Sequence, residues 1–521
     1  MNYRLILAIL AASSPWAMAE NVYLNAPKSA SQTLSFSSAQ TWRTAKGALG
    51  RSVGEGDVIH MVFDSQSVNV DGDFTVKQID LARFVGQLCP DNTLVFNMSK
   101  TAPGGKDGSL TVDSAKPPKA KGANNTCVLS ASFAGVEYSK DEAALKKQVF
   151  ATKGGSVRFL NSKDPNGVLF MNLTAQLTQK TKPDYYGEVK FDSPVSIEND
   201  LVVSSRNRVY ADTIGYQVCR LSFLDKTMLY SPSSKKFKNF KVAKLPTNYF
   251  TPLMRVSVGD PTHRDASMRC GGLWLDFGSQ LSVYGSLEIN GDLDISWSAT
   301  LNVEKGAKLA ITSKNIGKAV GVKSKCLARM RIDGAFVVDN PKILGENTVF
   351  HDCQIHVGPT GSIRVDGSGI EGRNALMLDR SLLSLQKGAK VYARNMVRLG
   401  TQSRLQLFGE NQIKSIEPAN GLCRLYLAGP RAIVELHANQ HFDGFYNSFP
   451  VTLRLGDEVS NVRFAKLVQG KWNKKMVITI EGFKNGVVKI DADDPMIKTN
   501  IAAKGWKNFR LENGFLTADK I

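Results

Sequence analysis

The sequence predicts an all-β solenoid, a parallel β-helix, on three observations. Short runs alternate apolar and polar residues, glycines open those runs at a nearly constant period, and the cysteines keep a related spacing. The alternation is clearest in "GSLEINGDLDISWSATLNVEKGAKLAI", residues 285–311, with the pairs Leu287/Ile289, Leu293/Ile295, Leu301/Val303 and Leu309/Ile311. An apolar period of two marks a half-buried strand, whereas an amphipathic helix repeats every ~3.6 residues. A turn-plus-strand phrase, glycine followed by serine or alanine, opens at Gly108, Gly155, Gly278, Gly285, Gly306, Gly334, Gly361 and Gly388; the last four are 28, 27 and 27 residues apart. Glycine is expected to supply a positive-φ corner. A period of about 21–28 residues with two or three short strands is the mark of stacked coils, with equivalent residues ~4.8 Å apart.

The elements follow in chain order. Asn2 to Arg4 make a polar, positive start, Leu5 to Ala12 an apolar run, and Ala17-Met18-Ala19 a small-x-small cleavage site. Residues 1–19 therefore read as a signal peptide, with the mature chain exported from Glu20. The apolar run is too short to cross a bilayer and no later one reaches ~18 residues, so no transmembrane span is expected. Residues 20–66 are expected to form an N-terminal cap and 67–521 the β-helix, with insertions near 100–126, 139–153 and 231–250. The first holds the loop-like "TAPGGKDGSLTVDSAKPPKAKGANN", the second the one helical phrase, "DEAALKKQVF", and the third "SPSSKKFKNFKVAKLPTNYF".

Cys127, Cys270, Cys326 and Cys353 each lie eight residues before a glycine, and Cys219 and Cys423 precede strand-like runs by a similar offset. Six of the seven cysteines are thus expected at one position of the coil. Residues stacked on neighbouring coils lie within disulfide range of ~4.4–6.8 Å. Bridges Cys89–Cys127, Cys219–Cys270 and Cys326–Cys353 follow, leaving Cys423 as a free thiol; the alternative is a reduced, buried ladder.

At this point the chain resembles the right-handed β-helix proteins exported by Gram-negative bacteria: autotransporter passengers, related adhesins and the pectin-lyase-like superfamily. The resemblance runs from about Val68 ("VNVDGDFTV") to Leu516 and rests on "GAKLAIT", "GSIRVDG" and "GAKVYAR". It implies a right-handed coil and a cell-surface, periplasmic or extracellular setting. Autotransporters end in a membrane barrel with aromatic girdles, whereas "WKNFRLENGFLTADKI" shows no such strands. The pectin-lyase-like glycosidases resemble one another in an Asn-Thr-Asp phrase, an Asp pair, Gly-His-Gly and Arg-Ile-Lys. Here Ile355-His356-Val357 and Arg331-Ile332-Asp333 stand in place of the last two, and neither matches.

Other motifs dissolve on their context. Gly50-Arg51-Ser52-Val53-Gly54 fits a nucleophile elbow, but a strand-like "EGDVIHMVF" follows where a helix is required. Gly367 to Gly372 fits G-x-G-x-x-G without the helix that would hold a pyrophosphate. His351, Asp352 and His356, the group His437, His441 and Asp443, and the acids Asp491, Asp493 and Asp494 lack metal-ligand spacing. No catalytic residue, cofactor or metal site is nominated.

Charge gives the partner. Lys and Arg number 66 against 47 Asp and Glu, a net +19. For an exported protein this points to acidic polysaccharides or envelope surfaces and away from nucleic acid. The candidate ligand-binding residues are Lys235, Lys236, Phe237, Lys238, Phe240, Lys241 and Lys244 of "KKFKNFKVAK", with cations for carboxylate or sulfate and rings for sugar faces. The same alternation also fits a strand with a solvated basic face. The sequence thus predicts a non-catalytic surface or periplasmic scaffold or adhesin; the alternative is a polysaccharide lyase or glycoside hydrolase on the same fold.

Overall fold

The computed structural model describes residues 21–24, 33–44, 51–62, 66–82, 93–115, 125–133, 148–175, 187–205, 219–231, 236–237, 239–242, 254–276, 278–290, 293–296, 298–311, 315–316, 328–339, 348–366, 375–394, 396–416, 421–467, 476–491 and 497–521. They form a parallel β-helix. The one α-helical segment among them is the four-residue turn Ile497–Asn500. The chain divides into two compact units, residues 1–220 with 225–236, and residues 221–224 with 237–521.

The alternating stretch 285–311 shows how a coil is made. Ser286–Ile289 lies on one sheet, Leu293–Ile295 on a second and Thr300–Val303 on a third; Lys308–Ile311 then returns to pair with Ser286–Ile289 in parallel. All eight apolar residues of the four pairs are buried, none more than 1% exposed. We call the sheet of Leu293–Ile295 the first, that of Thr300–Val303 the second and that of Ser286–Ile289 the third. Period-two alternation turns every second residue inward, so like residues stack from coil to coil. On the third sheet the inward column runs Leu287, Leu309, Phe336, Ile363, Val391, Ile413. Each such side chain contributes about 1.5–3 kcal/mol by leaving water.

The same three sheets recur in the N-terminal unit, where the core is aromatic. Phe36, Phe96 and Phe150 meet edge to face, with ring centroids 5.2 and 5.0 Å apart. Parallel pairing already begins with Asn21–Tyr23 against Val58–His60, inside the region expected to be only a cap. Antiparallel Trp42–Thr44 covers Asn21–Leu24. Strands Ser109–Asp113 and Gln148–Lys153 run through the first two expected insertions, so Gln148–Phe150 is not the end of a helix. In the C-terminal unit Asn239–Val242 pairs in parallel with Gly272–Leu275, so part of the third expected insertion is coil as well.

Two corners hold the coil. Gly334 and Gly361 precede the third-sheet strands Ala335–Asp339 and Ser362–Asp366. A Cβ on either would lie 2.4 or 2.0 Å from the carbonyl oxygen of the coil below, so no side chain fits there. Seven of the eight glycine phrases open third-sheet strands; Gly278 precedes Gln280–Val283 of the second sheet. Between the first and second sheets the corner is a left-handed residue: Ser298, Asp352, Arg380, Gln402 and Arg431, with φ between 47° and 61°. Three of them bond through their amides to the next coil: Asp352 to Asp379 O at 3.1 Å, Arg380 to Thr401 O at 3.0 Å and Gln402 to Pro430 O at 2.9 Å.

The cysteines do not share a position. Cys127 lies in the first-sheet strand Asn125–Phe133 and Cys423 just before Arg424–Leu427 of that sheet; Cys219 and Cys353 open second-sheet strands, and Cys270 closes a third-sheet strand. All five are thiols outside any disulfide, so none of the bridges Cys89–Cys127, Cys219–Cys270 and Cys326–Cys353 is made. Cys89 and Cys326 lie outside the described residues. The physical reason is register: the neighbour of Cys353 is Ala328, that of Cys127 is Phe170 and that of Cys270 is Ile289.

Beyond Ile413–Ser415 the described third sheet ends, and the following coils carry first- and second-sheet strands only. Buried Gln412 and Gln440 fill the step, donating to the carbonyls of Gln386 and Gly409 at 2.6 Å each. The antiparallel hairpin Trp506–Glu512 and Phe515–Lys520 then closes the first sheet.

Candidate functional site

Of the seven loop residues singled out in the sequence, Lys235, Lys238 and Lys244 lie outside the described residues. Lys236 and Phe237 form a two-residue strand, while Phe240 and Lys241 belong to Asn239–Val242, in register with Leu273 and Trp274. The basic stretch is therefore partly built into the coil. Residues 1–19, expected as a signal peptide, and residues 367–374 and 492–496 also lie outside. Of the elbow-like motif, residues 51–54 are irregular backbone leading into a turn closed by Asp57 N to Gly54 O: Arg51 pairs with buried Asp57 at 2.6 Å, and strand Val58–Val62 follows.

The surface best suited to a ligand is the outer side of the first sheet in the C-terminal unit. Because side chains alternate and coils stack, Met377, Arg398, Tyr426 and Tyr446 form one outward column on successive strands. The Arg398 guanidinium lies 5.1 Å from the centroid of the Tyr426 ring, a cation–π contact. Tyr426 and Tyr446 meet edge to face at 6.2 Å, and Tyr426 shares a 2.7 Å hydrogen bond with Ser448. Beside them Arg424 donates to Asp443 at 2.8 Å, and Arg463 to Asp491 at 2.8 Å. Arg424 and Arg463 are thus committed to carboxylates. Among the described residues the buried Nε of Arg398 has no hydrogen-bond partner.

Burial raises the Tyr446 phenol above its ordinary value, Arg424 opposing and Asp443 reinforcing. His441, whose buried Nε2 also has no partner among the described residues, is lowered by burial and by Arg463. The ring is thereby kept neutral near pH 7. Among the described residues the column offers one cation without an acidic partner and two tyrosine rings on successive coils, their centroids 6.2 Å apart. Single-residue inspection misses it because these residues are separated by 20 to 28 positions in the chain; only strand register brings them together.

The outer side of the second sheet is different. Its column runs Asn302, Arg331, His356, Ser384, Gln406, Glu435, Arg454, Glu481. Glu435 is buried and receives Arg404 at 2.7 Å, Gln406 at 2.8 Å and Arg454; Arg454 also donates to Glu481 at 2.6 Å. Arg331 turns to Asp333 at 2.7 Å. His356 is lowered by burial and by Arg329.

Among the described residues no group of three or more His, Cys, Asp or Glu is placed to hold a metal, and no helix is long and apolar enough to cross a membrane. His351 faces Asp379 at 3.4 Å, and Asp352 forms a two-pronged pair with Arg380 at 2.8 and 2.9 Å. A cavity between the sheets near Phe445, Phe464 and Leu516 has about 20 Å³ of room and a wholly apolar lining, too small for an organic ligand. No family model matches the chain, and neither a search of curated proteins nor one of solved structures finds a match.

Proposed function

We propose that the chain is a non-catalytic, exported β-helix protein, a surface or periplasmic scaffold or adhesin that binds acidic glycans or another acidic envelope component. The observation that carries this reading is the Arg398–Tyr426–Tyr446 column. A guanidinium can hold a carboxylate or sulfate with two hydrogen bonds, and a tyrosine face packs on the apolar side of a sugar ring. The net charge of +19 supplies long-range attraction for an anionic chain.

A polysaccharide lyase or hydrolase is the second reading, favoured by the acids and bases stacked on the second sheet. Glycoside cleavage needs carboxyl groups free to give and take protons. Glu435 has both oxygens bonded, to Arg404, Gln406 and Arg454, which favours a structural ladder over an active site.

The test mixes the mature protein with sulfated and uronate-rich polysaccharides at low and high salt, following protein retention and polysaccharide length together. Salt-sensitive retention of intact chains is expected, weakened about tenfold (~1.4 kcal/mol) by Arg398→Ala or Tyr426→Ala. Shortened chains would overturn the non-catalytic reading. Reversing Lys235, Lys236 and Lys238 to Glu separates the contribution of the basic stretch from that of the column.

A further inference from the structure

The N-terminal unit carries an outward column of another character. On the first sheet Tyr23, His60, Asp80, Ser130, Asn172 and Ser204 stand in register on six successive strands. All six are polar, Asp80 is the one acid among them, and Arg43 of the antiparallel strand Trp42–Thr44 stands in register beyond Tyr23.

Their orientations are set in advance. The imidazole of His60 stacks on Tyr23, with centroids 4.7 Å apart and planes 14° from parallel. Its Nδ1 lies 3.0 Å from an Asp80 oxygen and its Nε2 3.0 Å from Asn21 Oδ1, so both nitrogens are held. Asn172 donates to Cys127 Sγ at 3.4 Å and accepts from Ser204. A bulge between Cys127 and Leu129 keeps the thiol on the outer side while Val128 and Leu129 are buried. Half-exposed Phe170 and Val202, in register with each other, flank the column. Hydrogen-bonding capacity remains. Among the described residues the hydroxyls of Tyr23 and Ser130 and one oxygen of Asp80 have no partner, and Tyr23 is 38% exposed.

Catalysis does not fit this arrangement. A serine nucleophile needs the imidazole between hydroxyl and carboxylate. Here Asp80 stands between His60 and Ser130.

We propose that this column is a binding site for a neutral, hydroxyl-rich glycan chain lying across successive coils, with one sugar against the partly exposed ring of Tyr23. The chemistry is that of sugar recognition. An aromatic face takes the C–H side of a ring, and planar carboxylate and carboxamide groups bond to hydroxyls. Hydroxyl groups between them complete the row, at a spacing of about 4.8 Å that is close to one sugar unit of an extended chain. The row holds one acid, Asp80, and one guanidinium at its end, Arg43, so it has no excess of cations with which to select an acidic chain. This inference is independent of the arginine column, and the two differ in salt dependence: a neutral ligand releases no counterions.

The experiment titrates the mature protein with cellohexaose, maltohexaose and the N-acetylglucosamine hexamer by calorimetry, in low salt and in about 0.5 M salt. At least one hexamer is expected to bind with a Kd of about 1 mM or tighter, unchanged by salt. Tyr23→Ala and Asp80→Ala should each weaken binding about tenfold, while retention on uronate chains stays as in the parent. Ser130→Arg, an outward substitution that blocks the row without touching the core, should abolish binding and leave the melting temperature unchanged. The proposal is overturned if no hexamer binds at about 10 mM, or if binding survives Ser130→Arg.

Discussion

Glu435 shows what a single residue does on the outside of this coil. Burial works against its charge, yet the hydrogen bonds from Arg404 and Gln406 and the charges of Arg404 and Arg454 hold its carboxyl below the ordinary value of 4.5. A carboxyl lowered by folding stabilises the fold above its unfolded value, and that contribution is lost as pH falls through the lowered one. Glu435→Gln should therefore cost about 1–3 kcal/mol in urea unfolding at pH 7, with the difference from the parent shrinking below about pH 4. The cysteines make the opposite case. Burial pushes the Cys270 and Cys423 thiols up to about 12 and raises Cys353 as well; all three are inaccessible to solvent. A thiol that cannot ionise does not react. Peptide mapping after iodoacetamide treatment should find these three unmodified in the native protein and modified after unfolding, with Cys127 first among the described thiols to react. Their sequence spacing misled because the same offset spans different parts of the coil: from Cys353 to Gly361 it passes from the second sheet to the third, whereas from Cys270 to Gly278 it contains the whole first-sheet strand Gly272–Leu275. Register pairs Cys353 with Ala328, small residues at a tight corner.

At the scale of the element, the glycine period was legible and the left-handed corners were not. A glycine that opens a third-sheet strand is required by contact: a Cβ on Gly361 would lie 2.0 Å from Ile332 O. Gly361→Ala should cost about 1–3 kcal/mol through overpacking. Gly306 has φ of 81°, and a Cβ there would meet only the end of the Arg264 side chain, at 3.8 Å. Gly306→Ala should therefore cost about 1–2 kcal/mol through its backbone alone. Chemical denaturation of the two variants distinguishes the causes, since Gly306→Asn should recover stability and Gly361→Asn should not. The corners at Asp352, Arg380, Gln402 and Arg431 carry side chains that do not announce a left-handed backbone, so no sequence rule finds them. The basic stretch 231–250 was read as a loop because its serines, prolines and clustered lysines break the strand pattern, though Phe240 and Val242 keep the strand period.

For the molecule as a whole, the fold class was legible because one pattern repeats many times, while both columns proposed to bind ligands were hidden because neither exists until coils stack. Repetition also leaves ends that must be covered. In the C-terminal unit, Trp506–Glu512 and Phe515–Lys520 run antiparallel and present no strand in parallel register for a further coil. Removing residues 506–521 would bare the strand Val488–Ile490 and the apolar face of Phe483, which Trp506 and Phe509 cover. An uncovered edge recruits other chains. The truncated protein should form concentration-dependent oligomers by light scattering while the parent does not.

The variation in coil length has a further consequence. Register steps from Gln280 to Thr300 and from Ile433 to Thr452 take 20 and 19 residues, whereas Thr300 to Arg329 takes 29, and the columns stay aligned throughout. Insertions and deletions therefore fall into two inheritable kinds. In the loops, residues can be gained or lost singly; along the stack, only in whole coils. A lineage of such chains can drift widely in length and loop composition while the distance between successive outward side chains, the measure against which a repeating polymer is matched, does not drift at all.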